Sequence, residues 1–184
     1  LDMPLQHASN SVLERMRRQI TREETTELIQ QARLRIPNLT LRTTMLVGYP
    51  QESDQEFQEL CDFVQEMEFD RMGVFQYSHE ESTRAYDVDD DVSAELKAER
   101  ANALMEIQQE ISTRKNFEKV GKTFKTLFDR KEGGYFVGRT EGDSPEVDNE
   151  VLVPAKKNFA RIGDFAQVRI TEASEYDIFG EIVA

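Results

Sequence analysis

Three places in this 184-residue chain set polar side chains directly after an apolar run. They are Gln6-His7-Ala8-Ser9 after LDMPL, Gly48-Tyr49-Pro50-Gln51-Glu52 after LTLRTTMLV, and Gln76-Tyr77-Ser78-His79 after RMGVF. His7 and His79 are the only histidines, and an imidazole at a pocket edge can move a proton near neutral pH. Two histidines without a third ligand make a poor metal site. No metal ligand and no catalytic residue is therefore assigned, and hydrogen bonding within a loop is the plainer role of each ring. Arg15, Arg17 and Arg18 offer guanidinium forks suited to a carboxylate or phosphate, although each taken singly reads as a surface arginine. The chain has no phosphate-binding glycine loop, no dinucleotide turn, no Ser-His-Asp pattern and no cysteine cluster.

The elements that must carry these segments follow from the hydrophobic pattern. Residues 1–5 read as the end of a buried strand. Ser9 or Asn10 caps a helix with Val12, Leu13, Met16 and Ile20 on one face. Thr21 and Glu24 make a capping box for a second helix with Leu28, Ile29, Ala32 and Ile36 inward, stopped at Pro37-Asn38. LTLRTTMLV is nearly apolar throughout, as an interior parallel strand is. Ser53 and Glu56 box the next helix, which carries Phe57, Leu60, Cys61, Val64 and Met67. RMGVFQYS is a third strand, and an acidic loop runs from about Ser78 to Asp91. Its Asp87, Asp89, Asp90 and Asp91 read as a solvated loop leading into a helix N-terminus. Ser93 caps a long helix with Leu96, Leu104, Ile107 and Ile111 on one side. Strands alternating with amphipathic helices predict crossover units in a parallel α/β sheet, and ligands of such sheets bind at the carboxyl ends of the strands.

After Gly121 the texture changes to short strands at 122–129, 134–140, 149–153, 164–172 and 177–183, separated by Gly-rich turns. Five such strands predict a small OB-type β-barrel, expected to be antiparallel. The reading is thus of two domains, residues 1–118 and 119–184.

Composition narrows the function classes. The net charge is -13. Residues 1–118 hold 13 basic and 24 acidic side chains and residues 119–184 hold 10 and 12, so the acidity lies mostly in the first part. Such a surface suits a basic partner and has little pull on bare nucleic acid. One cysteine, Cys61, excludes a disulfide framework and fits a reducing, cytoplasmic setting. No apolar run approaches membrane-spanning length.

The segments LDMPLQHASNSVLERMRR, LTLRTTMLVGYPQESDQEFQEL, FDRMGVFQYSHEESTRAYD and RANALMEIQQEIS resemble the C-terminal half of the radical S-adenosylmethionine methylthiotransferases. The pattern of residues 122–184 is similar to their TRAM domain. The resemblance implies a partial TIM-like parallel barrel followed by the OB-like barrel. Three details resemble the branch that modifies an aspartate of protein twelve of the small ribosomal subunit. PLQHAS stands where the tRNA-modifying enzymes usually have a Ser-Gly pair, SPEVDNEVLV replaces a basic Asn-containing segment, and the chain ends in YDIFGEIVA. Gln51 stands where the family commonly has Gly, and Ser53 where it has Thr.

The resemblance further implies a mechanism. Reductive cleavage of S-adenosylmethionine gives a radical that takes hydrogen from the aspartate β-carbon, sulfur from a second cluster is added there, and a second S-adenosylmethionine supplies the methyl group. The full-length enzyme carries two 4Fe-4S clusters and needs an electron donor. The cluster-binding three-cysteine motif is absent from this chain, which is accordingly expected to be a fragment, inactive alone and monomeric. By position, Gln6 and His7 are expected beside the ribose or methionine moiety and Arg17 at the methionine carboxylate. Val47, Gly48 and Pro50 are expected near the adenine, and Tyr77 and Ser78 on the substrate side. The alternatives are a tRNA methylthiotransferase of the same family, disfavoured by charge, and a protein-binding module without catalysis.

Overall fold

The structure, a computed structural model, describes residues 1–145 and 147–183; Glu146, within the SPEVDNEVLV segment, and the terminal Ala184 lie outside the described residues. The chain divides into two compact units, Leu1–Ile111 and Ser112–Ala184.

The first unit is built on three parallel strands, β1 (Asp2–Gln6), β2 (Arg42–Val47) and β3 (Arg71–Gln76), in the order β1-β2-β3. The β2–β3 register runs without a break from Arg42–Arg71 to Val47–Gln76, so these two strands end side by side. β1 reaches the same edge, with Gln6 opposite Met45. Connections between parallel strands must cross over the sheet. Here α1 (Asn10–Arg15) and α2 (Arg22–Arg35) join β1 to β2, and α3 (Asp54–Met67) joins β2 to β3. Both capping boxes form: Thr21 and Ser53 each accept from the backbone of a glutamate three residues on, and Glu24 and Glu56 return the bond. The long helix α4 (Ala94–Phe117) begins in this unit, with the Ser93 hydroxyl accepting from the Leu96 amide. The core joins Met45 and Val47 of β2 to Leu60, Phe63 and Val64 of α3 and to Leu104 of α4, each no more than 1% exposed. Gln108 Nε2 donates to the Phe69 carbonyl at 2.9 Å and fixes α4 against the entry to β3.

Two helix expectations are corrected. The first helix stops at Arg15 rather than running to Ile20, because Arg17 turns left-handed at φ 58° and the Arg18 amide bonds back to the Leu13 carbonyl. On α2 only Ile29 is fully buried, while Leu28 and Ile36 are 49% and 46% exposed. A single helix lying on one crossover turns a narrow stripe inward, here Thr25 and Ile29 at i and i+4.

The second unit is a closed barrel of β4 (Thr123–Glu132), β5 (Tyr135–Thr140), β6 (Val151–Pro154), β7 (Phe165–Ala173) and β8 (Ile178–Val183), in the order β4-β5-β6-β8-β7. It is mixed, not antiparallel throughout: β6 and β8 pair in parallel. Closing five strands in this order places the third beside the fifth, which run the same way when each sequential neighbour reverses direction. Phe128, Val151, Val153, Val168, Ile170 and Ile178 fill the interior. At Gly138 an added Cβ would lie 2.4 Å from the Leu127 carbonyl oxygen on β4, so the strand crossing admits no side chain there. The last turns of α4 pack on this barrel through Asn116, fully buried, whose amide donates to the carbonyls of Ser174 and Glu175 at 3.3 Å each.

Candidate functional site

The carboxyl edge of the three-stranded sheet gathers the three polar segments. Each strand leaves the sheet by a backbone device. Gln6 takes φ 75°, a left-handed value unusual for a residue with a side chain, and turns the chain so that His7, Ala8 and Ser9 are buried. Gly48 takes φ 72° at the end of β2. β3 continues one residue further, with the Tyr77 amide donating to the Val47 carbonyl at 2.9 Å.

A buried carboxylate organises the loop after β2. Glu52 is 5% exposed. Its Oε2 accepts from the Gly48 amide at 2.8 Å and the Tyr49 amide at 3.2 Å. Its Oε1 takes Arg100 Nη1 of α4 at 3.0 Å, and the same Nη1 reaches the Glu52 carbonyl. Arg100 is 3% exposed and also holds Asp54 at 2.7 Å. A buried carboxylate without such partners is very costly. His7 completes the cluster. Its Nδ1 accepts from the Ser9 amide at 3.0 Å, so the neutral ring carries its proton on Nε2. That Nε2 faces Glu52 Oε2 at 3.6 Å, beyond hydrogen-bond reach, and has no hydrogen-bond partner.

The edge also carries an aromatic group. The Tyr49 and Tyr77 rings meet edge to face at 5.3 Å, and the Tyr49 hydroxyl donates to the Arg15 carbonyl. The Tyr77 hydroxyl lies 3.3 Å from His79 Nδ1, and the His79 ring stacks on Tyr86 at 4.5 Å. Burial, with the charge of Asp90 next, pushes the Tyr77 phenol above its ordinary value, so it stays protonated. Ser78 is exposed and donates to Glu80.

The expected site residues therefore separate. Gln6, His7, Gly48, Pro50, Tyr77 and Ser78 share the carboxyl edge. Val47 ends its strand there, but its side chain belongs to the hydrophobic core, so only its backbone faces the edge. Arg17 is exposed and lines a different, open cleft with Glu14, Arg18, Ile20, Thr21 and Glu24. The arginine that does reach the β2 loop is Arg15, whose Nη2 donates to the Gln51 carbonyl and to Glu56. The acidic loop is not simply solvated: Asp90 holds Lys97, and Asp91 accepts from the Gln51 amide at 2.7 Å. Glu52, Lys97 and Arg100 were missed as site residues. The available signal was the inward stripe of α4, where Lys97 and Arg100 stand two turns and one turn ahead of Leu104.

Two measurements probe this edge. Gln51 sits at φ 65°, a conformation that costs a residue with a side chain about 1–2 kcal/mol and glycine little. Gln51→Gly should raise the unfolding free energy by up to about 1 kcal/mol, after the greater unfolded-state freedom of glycine is set against the relieved strain; equilibrium urea unfolding reads this. Glu56 gives a pH dependence. Burial pushes its carboxyl up, but bonds from Ser11, the Ser53 amide and hydroxyl and Arg15 outweigh it and bring it down from 4.5 to about 2. A depressed carboxylate contributes stability above its unfolded value and loses it as pH falls through the folded one. Unfolding midpoints should therefore drop between about pH 4.5 and 2, and Glu56→Gln should flatten that decline.

Little in the first unit suits iron. Cys61 is buried, and burial with the charges of Asp62 and Glu52 raises its thiol to about 11, which disfavours the thiolate a metal needs. Among the described residues no group of three or more His, Cys, Asp or Glu side chains could hold a metal ion. No helix among them is long and apolar enough to cross a membrane.

Comparison with known proteins agrees with this fold. The family model of the radical SAM superfamily matches residues 1–64 and that of the TRAM domain residues 120–183. A relative named ribosomal protein uS12 methylthiotransferase RimO, from Cytophaga hutchinsonii, is 55% identical over 183 residues, covering 100% of this chain and 42% of the relative. A protein of the same name from Flavobacterium psychrophilum is 52% identical over 181 residues, 98% of this chain and 42% of that protein. The chain thus spans about two-fifths of the length of the curated relatives it matches. The solved structure of coproporphyrinogen III oxidase (HemN) from Escherichia coli, described as a radical SAM enzyme, is similar in fold over 92% of this chain and 40% of that one, with a TM-score of 0.54 and 19% identity. A radical SAM match over the first two parallel strands, a TRAM match on the barrel and identity above one half along this chain with proteins named methylthiotransferases make it a member of the radical SAM methylthiotransferase family.

Proposed function

We propose that this chain is part of an enzyme that methylthiolates an aspartate of ribosomal protein uS12, with the carboxyl edge of its sheet forming part of the S-adenosylmethionine pocket. The observation that carries the reading is the meeting of Gln6-His7, Gly48-Pro50 and Tyr77-Ser78 at one edge of a parallel sheet, in a chain more than half identical to proteins named for that reaction. When bound, S-adenosylmethionine supplies the radical and methyl chemistry. The residues of this chain bind and orient. His7 Nε2, buried and without a hydrogen-bond partner, offers a proton to an acceptor atom of the ligand. The left-handed turn at Gln6 presents backbone to it, and buried Gly48 and Pro50 wall the loop. Glu52 keeps the Gly48 and Tyr49 amides from rotating, because both are committed to its Oε2. Tyr77 and Ser78 face the incoming protein segment. Arg17, in its separate cleft, is the weakest member of the expected set, and a carboxylate contact by Arg17 requires that cleft to join the pocket.

This chain does not fit an iron-sulfur cluster, with one buried, protonated thiol, and no step is assigned to one within it. The two clusters of the complete enzyme would be held elsewhere in the polypeptide. Charge supports uS12 over tRNA: the chain is acidic at -13, a surface that attracts a basic protein at long range and repels phosphate.

The test is anaerobic turnover by the complete enzyme with S-adenosylmethionine and a chemical reductant, offered uS12 or unmodified tRNA. One methylthio group on one uS12 aspartate, found by mass spectrometry, with tRNA untouched, is the expected result. Modified tRNA with unmodified uS12 would overturn the assignment.

A further inference from the structure

Lys97 lies on the first turn of α4 and points into the carboxyl edge, 6% exposed. Its stem runs along Gly48 so closely that a Cβ there would come within 2.3 Å of Lys97 Cγ. The space that glycine leaves at the end of β2 is therefore filled by a lysine stem. The ammonium sits 5.1 Å from the centre of the Tyr77 ring and is gripped by both oxygens of Asp90 at 2.7 and 2.6 Å. One buried cation thus touches the loop after β2, the first residue after β3, and the acidic loop that returns to α4. A neighbouring bond, Asp91 to the Gln51 amide, runs in parallel. A long side chain gives up much rotamer freedom to be held this way, and a half-buried ion pair with a cation–π contact offsets that cost better than a surface pair does.

We propose that Lys97 and Asp90 form a positioning pair, which holds the loop of residues 78–91 against the β2 loop and so sets the width of the entrance through which the protein substrate reaches Tyr77. The proposal rests on the reading of this edge as the substrate-facing mouth. Neither residue touches the reacting atoms; both act through Tyr77 and the loop. Loss of either partner leaves a loop whose other described contacts are local turns, the Tyr77–His79–Tyr86 ring contacts and the Asp91 bond.

The test uses the complete enzyme and two variants, Lys97→Met and Asp90→Asn, the second removing only the more exposed end of the pair. Tryptic cleavage after Arg84, in the middle of the loop, should speed up about tenfold in both, with cleavage after Arg35 on α2 unchanged. KM for uS12 should rise about tenfold with kcat within about twofold, and Lys97→Arg should restore both readings. Unchanged cleavage at Arg84 in both variants overturns the proposal, as does equal acceleration at Arg84 and Arg35, which reports general unfolding. The cleavage assay needs neither cofactor nor substrate. An enzyme that fails to modify uS12 while its Arg84 site responds as stated therefore refutes the substrate assignment and leaves the pair standing.

Discussion

An Arg100→Met protein should unfold about 3–5 kcal/mol more easily than the parent, the cost of stranding a buried carboxylate. Arg100 and Glu52 are both nearly inaccessible, at 3% and 5% exposure. Methionine keeps much of the stem's bulk but removes the guanidinium, including its stack over the Phe57 ring, so the loss is chiefly that of the charge. Glu52 then has only the Gly48 and Tyr49 amides and the His7 ring around it, a buried carboxylate without its guanidinium partner. Glu52→Gln should cost less, about 1–3 kcal/mol, because an amide oxygen can still accept from the two backbone amides while Arg100 keeps Asp54 and the residue-52 carbonyl. Urea unfolding of the two variants beside the parent checks the order. Equal losses would mean that the cluster acts through packing and not through charge.

Gly48→Val should have the largest effect on activity. The left-handed φ of 72° costs a β-branched residue about 1–2 kcal/mol or more, and the Cβ collides with Lys97 Cγ at 2.3 Å. Displacing that buried stem adds about 1–3 kcal/mol. The loop after β2 must shift, and misplacement by about 1 Å at a pocket wall costs on the order of a hundredfold in rate. Turnover of uS12 by the complete enzyme should fall by about that factor. A Gly48→Val enzyme with full turnover would detach the β2 loop from the pocket.

Much of the architecture was legible because it rests on local signals. The Thr21–Glu24 and Ser53–Glu56 boxes read directly as helix starts, since the cap and its partner lie three residues apart in any context. The barrel strands were readable from alternation and Gly-rich turns, and each lies within three residues of its expected bounds at either end. The parallel β6–β8 pairing was not, because strand direction in a closed sheet depends on closure, a property of the whole barrel. Helix α1 ends before its apolar period does: Met16 and Ile20 continue that period, while a single left-handed residue, Arg17, overrides it. Leu28 and Ile36 look like core in a helical wheel, yet burial depends on what lies opposite.

The same division holds at the site. Gln6, Gly48 and Tyr77 could be placed from strand ends alone. Glu52, Lys97, Arg100 and Asp90 could not, because their roles rest on contacts across 7 to 48 positions of sequence. A closer reading of α4 offered one clue. Lys97 and Arg100 extend the inward stripe of Leu104 and Ile111, and a charged residue on an inward stripe calls for a buried partner. Gly48 illustrates the limit from the other side. Glycine at a strand end suggested close approach of a ligand, whereas the neighbour that occupies its missing side chain is Lys97.

The most direct measurement is hydrogen exchange of the complete enzyme with and without S-adenosylmethionine. Protection concentrated at residues 6–9, 47–50 and 76–78, with the amino ends of the same strands unchanged, is the predicted pattern. Protection confined to the amino ends, or to the Arg17 cleft alone, would contradict the placement of the pocket at the carboxyl edge of the sheet.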